Sequence, residues 1–218
     1  MSGHQIVRAD QADQEALAQV IAAAFCDLAP SHWLVANPAE RRKIFPAYFA
    51  LLVEQALAEG LVHTTADRDS AALWLPGGPD ASDESGDYDA RPAAVIGERA
   101  DRFRTFEAAL ASRHPADLVH MHLAILAVRP DRQGKGIGTA LLNAYHQVLD
   151  QNGLPAYLEA SDLRTRRLYL RHGYGDHGPP LALPKGPMMH PMVRPPAKSW
   201  PGSPHWNTAC CITNSALR

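Results

Sequence analysis

The sequence predicts a mixed α/β domain of about seven strands and four to five helices. Three observations point there. Short apolar runs alternate with stretches of helical periodicity, the interleaving has no internal repeat, and an apolar run at residues 118–128 passes through a basic, glycine-rich turn straight into an amphipathic helix. A chain of 218 residues suits one domain better than two. Residues 1–194 are read as that domain. Residues 195–218, where proline, serine and asparagine replace any periodicity around Trp200 and Trp206, are read as a tail.

Each element has its own signal. Ile6, Val7 and Arg8 read as a short strand, and Asp10 or Asp13 can cap a helix carrying Ala16, Leu17, Val20, Ile21, Ala24 and Phe25. The pattern breaks around Pro30, Ser31, His32 and Trp33. Pro38 then opens a helix through Ile44, Phe45, Tyr48, Phe49, Leu52 and Leu57 that Gly60 stops. Residues 61–65 and 71–75 form a hairpin, and the acidic stretch 80–89 holds no core. Pro92 starts a helix with Val95, Ile96, Phe103, Phe106 and Leu110, closed at His114 and Pro115. A strand at 118–128, a turn at 129–138 and a helix over 139–152 follow, with Gly153 as its stop. The strand 156–160 leads to a short helix capped by Ser161 or Asp162 and ended by Gly173. Residues 174–183 and 188–193 then pair as a final hairpin in which Pro191 marks an edge or a bulge.

Composition narrows the function. With 21 basic and 23 acidic residues the formal charge is −2, which gives no field to hold a polyanion, so neither nucleic acid nor a membrane surface is an expected partner. No run approaches the roughly 18 apolar residues of a membrane span, and the expectation is a cytoplasmic protein. Cys26, Cys210 and Cys211 make neither a disulfide framework nor a zinc spacing. A homodimer is compatible with the sequence, which does not define the oligomeric state.

The turn Gln133-Gly134-Lys135-Gly136-Ile137-Gly138-Thr139 is the most informative stretch. Its glycines let successive amides converge just before a helix N-terminus, the arrangement that binds phosphate, with Arg129, Arg132 and Lys135 adding charge. A ligand-free basic turn is the alternative reading of these glycines alone. A P-loop fails because Lys135 is followed by Gly136, and a dinucleotide fingerprint fails because the spacing is G-x-G-x-G.

Val128, Gln133, Gly136 and Gly138 resemble the Q-x-x-G-x-G coenzyme site of the GCN5-related N-acetyltransferases. Residues 157–174, YLEASDLRTRRLYLRHGY, resemble that family's second block, and the order of elements from Ile6 to Val193 is similar throughout. The pattern is especially similar to the puromycin N-acetyltransferase-like, small-molecule members. The resemblance implies a central splayed strand pair, acetyl-CoA as co-substrate, no metal, and a small-molecule amine as acceptor, an antibiotic or metabolite. It implies that backbone groups of Leu126, Ala127 and Val128 meet the pantetheine arm. Arg132, Gln133, Gly134, Lys135, Gly136, Ile137, Gly138 and Thr139 would take the pyrophosphate, and Tyr169 would protonate the departing sulfur. Asp162 and Thr165 depart from the family's usual asparagine.

The base is open between two residues. Strand alternation places His120, His122, Ala124, Leu126 and Val128 on one side, and an imidazole, which titrates near pH 6.5 in water, suits His122 to the task. Glu159, on the adjacent strand, could act through a water. His120, His122 and Glu159 could in principle hold a metal, but acetyl transfer uses the same face without one. Trp33, Trp74 and Tyr88 are candidates for an aromatic wall around the acceptor or for packing.

Overall fold

A computed structural model describes residues 4–79 and 90–197. Among them, eight strands form a mixed sheet in the order β1-β2-β3-β4-β5-β8-β6, with β7 attached to β8. The strands are β1 (Ile6–Arg8), β2 (Leu61–Thr65), β3 (Ser70–Gly77), β4 (His120–Val128), β5 (Ala156–Ala160), β6 (Gly175–Asp176), β7 (Leu181–Ala182) and β8 (Met188–Arg194). The helices are α1 (Gln14–Phe25), α2 (Ala29–Leu34), α3 (Pro38–Glu59), α4 (Ala90–Ile96), α5 (Ala100–Ala111), α6 (Ile137–Asn152) and α7 (Leu163–Arg171). No helix of the described residues is long and apolar enough to cross a membrane.

Two apolar layers sandwich the sheet. Leu17 and Ile21 of α1, Phe45, Phe49 and Val53 of α3 and Phe103 of α5 pack with Ala71, Leu73, Ile125 and Ala127 on one face. Ile137, Leu141, Leu142, Tyr145 and Leu149 of α6 and Tyr169 of α7 pack with Ala72, Trp74, Met121, Leu123 and Leu158 on the other. Both layers follow from apolar positions recurring at helical spacing opposite strands that are buried on both faces.

The boundaries depart from the sequence expectation where local signals conflict. Pro30 does not break the chain but occupies the first turn of α2, where its missing N–H costs nothing. The helix expected from Pro92 is two helices joined by a tight turn at Gly97, whose φ of 59° no longer helix tolerates. Only β6 and β7 form within 174–183, both against β8. Pro191 is not on an edge, because β8 lies between β5 and β6, and its carbonyl accepts from the His177 amide at 2.8 Å. Asp10 caps the turn ahead of α1 through the Ala12 amide, while Asp13 is engaged by Arg68. The acidic stretch 80–89 lies outside the described residues, as does the expected tail from residue 198 onward.

Two features position the site. First, β4 and β5 are parallel and pair only at Met121 with Ala156 and His122 with Tyr157, so beyond His122 they diverge. Second, β4 slips one residue against β3: Ile125 faces Leu73, Leu123 faces Trp74, and Ala124 is the extra residue. The bulge reverses the alternation. Met121 and Leu123 share the α6 layer with Leu126 and Val128, whereas Ile125 and Ala127 join the α1–α3 layer. The expectation that His120 and His122 share a side with Leu126 and Val128 is therefore corrected: an inserted residue changes the parity of every position beyond it.

Candidate active site

The turn after β4 is held rigidly. Arg129 and Arg132 converge on the buried Asp69 carboxylate at 2.6 and 2.9 Å, and Arg132 also reaches Asp67 at 3.0 Å. Both guanidiniums therefore brace the turn, and of the three cations expected to meet a phosphate Lys135 is the one without a carboxylate ion pair among the described residues, its ammonium resting on the Asp131 carbonyl at 3.2 Å. Gln133 donates to the Val128 carbonyl at 3.1 Å, so its side chain closes the turn onto the end of the strand. Gly134 and Gly136 have φ of 75° and 82°, and a β-carbon added at either would meet nothing within 4 Å. The left-handed backbone thus leaves both glycines open at the start of α6, with His4 Nε2 2.8 Å from the Lys135 carbonyl between them. The amides of a helix's first turn have no intrahelical partner, and here no capping side chain among the described residues takes them.

Gly138 sits against Leu126, where a β-carbon would touch the Leu126 side chain at 3.9 Å. This brings the α6 N-terminus beside the edge of β4 that β5 has left. Across the same opening, Thr139 and His172 at the end of α7 are 3.2 Å apart. Tyr169 lies in the apolar layer with Ile137, Leu141 and Leu126, its ring 5.6 Å from that of Tyr174. Burial pushes the Tyr169 hydroxyl well above the ordinary phenol value, with the Asp162 charge acting in the same direction. Asp162 and Thr165, which depart from the family's asparagine, cap α7 reciprocally: Thr165 N–H donates to Asp162 at 2.7 Å and Asp162 N–H to the Thr165 hydroxyl at 3.2 Å.

On the opposite face, the two candidate bases are one pair. His122 Nε2 and Glu159 Oε2 are 2.9 Å apart, with side chains 18% and 6% exposed. Burial alone would raise the Glu159 pKa, but the charge and hydrogen bond of His122 outweigh it and hold the carboxyl below its ordinary value. An ionised carboxylate only accepts, so Nε2 is the donor of this hydrogen bond. His120 does not join them: its Nδ1 is held by the Leu118 carbonyl at 2.6 Å. The residue that sequence reasoning missed is His114. Its ring centroid is 5.0 Å from His122, 4.8 Å from His120 and 5.0 Å from Tyr157. Burial lowers the pKa of His114 and of His120 to about 4. The available signal was three histidines within nine residues on both sides of a tight connection; read as a helix terminator, His114 carried no chemistry.

Two of the three aromatic candidates do not line an opening. Trp74 is fully buried beneath α6 against Tyr145, and Trp33 donates to the Pro184 carbonyl at 3.0 Å under the Arg102 guanidinium. Tyr88 lies outside the described residues.

The mixed sheet is thus split at its centre, with the Gly134–Gly136 turn on one side of the split and the His122–Glu159 pair on the other. Residues 100–175, about a third of the chain, match the acetyltransferase (GNAT) domain family. A Corynebacterium glutamicum structure described as histone acetyltransferase HPA2 and related acetyltransferase is 26% identical, with a TM-score of 0.66 over 90% of this chain and 98% of that one. Arylalkylamine N-acetyltransferase 2 of Aedes aegypti, 12% identical, shares the fold with a TM-score of 0.59 over 88% of this chain and 98% of its own. PaiA N-acetyltransferase of Thermoplasma acidophilum, solved with coenzyme A, is 13% identical with a TM-score of 0.52 over 89% and 99%. An uncharacterised N-acetyltransferase of Schizosaccharomyces pombe is 27% identical over 149 residues, 63% of this chain and 60% of that protein. The match thus spans about three fifths of this curated relative.

Proposed function

We propose that the protein transfers the acetyl group of acetyl-CoA to a primary amine of a small molecule, by direct attack in a ternary complex. The observation that supports this reading is the splay of β4 from β5, with the open Gly134–Gly136 turn beyond the end of β4 and the His122–Glu159 pair where the strands part. The residues fit the co-substrate. The α6 first-turn amides with those of Gln133, Gly134, Lys135 and Gly136 suit a pyrophosphate, and the edge of β4 at Leu126 and Ala127 suits an extended pantetheine. Acetyl-CoA supplies the acyl group as an activated thioester.

The protein's own groups divide the proton work between two faces. His122 is the more exposed member of its pair and accepts the proton of the amine at Nδ1, while Glu159 fixes the tautomer through Nε2 and stabilises the imidazolium that forms. The Leu126 amide is the donor for the developing oxyanion. Tyr169, kept protonated by burial, donates from its hydroxyl to the departing sulfur. Release of free thiol from acetyl-CoA over a panel of antibiotics, arylalkylamines and polyamines tests the reading, with mass spectrometry identifying the product. Tyr169→Phe should lower kcat by about 10²–10⁴-fold with KM for acetyl-CoA nearly unchanged. An unchanged kcat with chemistry limiting would remove Tyr169 from the mechanism. The description of the Corynebacterium relative favours a second reading, a protein lysine or N-terminal amine as acceptor, so peptides belong in the panel. Coenzyme binding without turnover of any amine would indicate an acyl-CoA sensor.

A further inference from the structure

We propose that His114, His122 and Glu159 form a binding site for a divalent transition metal of the zinc type, and that its occupation blocks the transfer reaction. The three residues come from the connection after α5, from β4 and from β5, and each brings one donor atom so that all three atoms lie within 4.8 Å of one another. Two of them, His122 Nε2 and Glu159 Oε2, are 2.9 Å apart across a hydrogen bond, and metal binding there would release the proton that the bond holds. Bonds of about 2.0–2.2 Å to zinc place tetrahedral ligands about 3.3 Å from each other. His114 therefore has to approach by an ångström or so, and it sits outside any strand or helix that would resist the movement.

A second observation points to a ligand. The Glu159 side chain is only 6% exposed, yet Oε1 makes no hydrogen bond of full geometry among the described residues, the neighbouring Tyr157 hydroxyl being directed to the Arg113 carbonyl at 3.3 Å. An orphaned buried carboxylate oxygen is costly, and a cation in contact with it would remove the cost. Two imidazoles and one carboxylate with an open fourth position suit zinc or cobalt rather than magnesium or calcium, which prefer an all-oxygen shell. His120 stands beside the three residues but is not among those whose donor atoms converge: its Nδ1 meets the Leu118 carbonyl at 2.6 Å, and its ring packs 4.8 Å from that of His114.

The blocking clause rests on the proposed base pair, since a metal here takes electron pairs that His122 and Glu159 would offer a proton. The binding clause does not. Cobalt(II) is the probe, added to the untagged full-length protein and to its Cys210→Ser/Cys211→Ser variant, because adjacent thiols bind the same metals. We expect one equivalent to produce intense visible ligand-field bands without thiolate charge transfer, in both proteins alike. His114→Phe, which keeps a ring in the aromatic stack, should weaken binding at least about tenfold while still unfolding cooperatively. Glu159→Gln should do the same. Unchanged affinity in His114→Phe, bands lost with the cysteines, or no binding at all would each overturn the site. Zinc should inhibit thiol release and a chelator restore it; inhibition equally strong in His114→Phe would overturn the blocking clause. Cobalt bound through the three residues in a protein that acetylates no amine would uphold the site and defeat the transfer reading instead.

Discussion

Lowering the pH from 7.5 to 5.0 should destabilise the protein steeply, well before its ion-paired carboxylates titrate. His146 is 5% exposed on α6 and His120 is 1% exposed on β4. Burial depresses the first to about 3, with the Arg194 guanidinium acting in the same direction, and burial depresses the second to about 4. In the unfolded chain both titrate near 6.5. The folded state therefore binds fewer protons than the unfolded state between these values, and stability is complete above 6.5 and lost as pH falls toward 4. At pH 5.0 the unfolded imidazole gains about 1.5 pH units of proton binding that the folded one does not, so each residue costs about 2 kcal/mol and the pair about 4 kcal/mol. That is a large part of an ordinary domain's stability of about 5–15 kcal/mol. Urea unfolding at the two pH values measures it. His146→Gln, which can still accept from the Tyr174 hydroxyl that lies 3.0 Å from His146 Nε2, should shrink the loss by about 2 kcal/mol. If the variant loses as much stability as the native protein over this interval, burial of His146 is not the cause.

Three further outcomes follow from the site. Gly136→Val forces a branched residue into φ of 82°, at about 1–2 kcal/mol, and puts methyl groups over the amide cradle; KM for acetyl-CoA should rise about 5–30-fold with kcat little changed. Glu159→Gln should lower kcat/KM for the amine by about 10²-fold without lowering the melting temperature much, because it removes the charge that fixes the His122 tautomer and leaves the shape intact. Gly77→Ala would place a β-carbon 2.4 Å from His120 Nε2, far inside contact distance; it should cost about 1–3 kcal/mol in urea unfolding and weaken cobalt binding by displacing His114, whose Nε2 would be 3.1 Å away.

What the sequence made legible is what the chain encodes locally. The path from β4 through the turn to α6 is a continuous run, so its glycines, its helix start and its phosphate-binding character could be read from neighbours a few residues apart, and α7 with its Asp162 cap was legible for the same reason. The roles of Arg129 and Arg132 were not. The carboxylates that brace them, Asp67 and Asp69, lie about 60 residues upstream and meet them only because β3 and β4 pair. The same holds for Trp74, whose place beneath Tyr145 is decided by the sheet and not by its neighbours.

The bulge at Ala124 is the sharpest case, because it changes how the site works and not only where its parts lie. With unbroken alternation, His122 would face the same layer as Leu126, and base, thioester edge and Tyr169 would crowd one side of the sheet. One extra residue turns the two halves of β4 to opposite faces. His122 and Glu159 then lie on the face that carries α1, α3 and α5, while Leu126 and Val128 pack with α6 and Tyr169 on the other. In the proposed reaction the acceptor His122 and the donor Tyr169 would thereby be separated by the thickness of the sheet, and the gap where β5 leaves β4 beyond His122 is a place where groups from both faces could meet. An amine and a thioester brought into that gap from opposite sides would meet a base and an acid that cannot neutralise each other directly, and that separation is what a direct transfer requires.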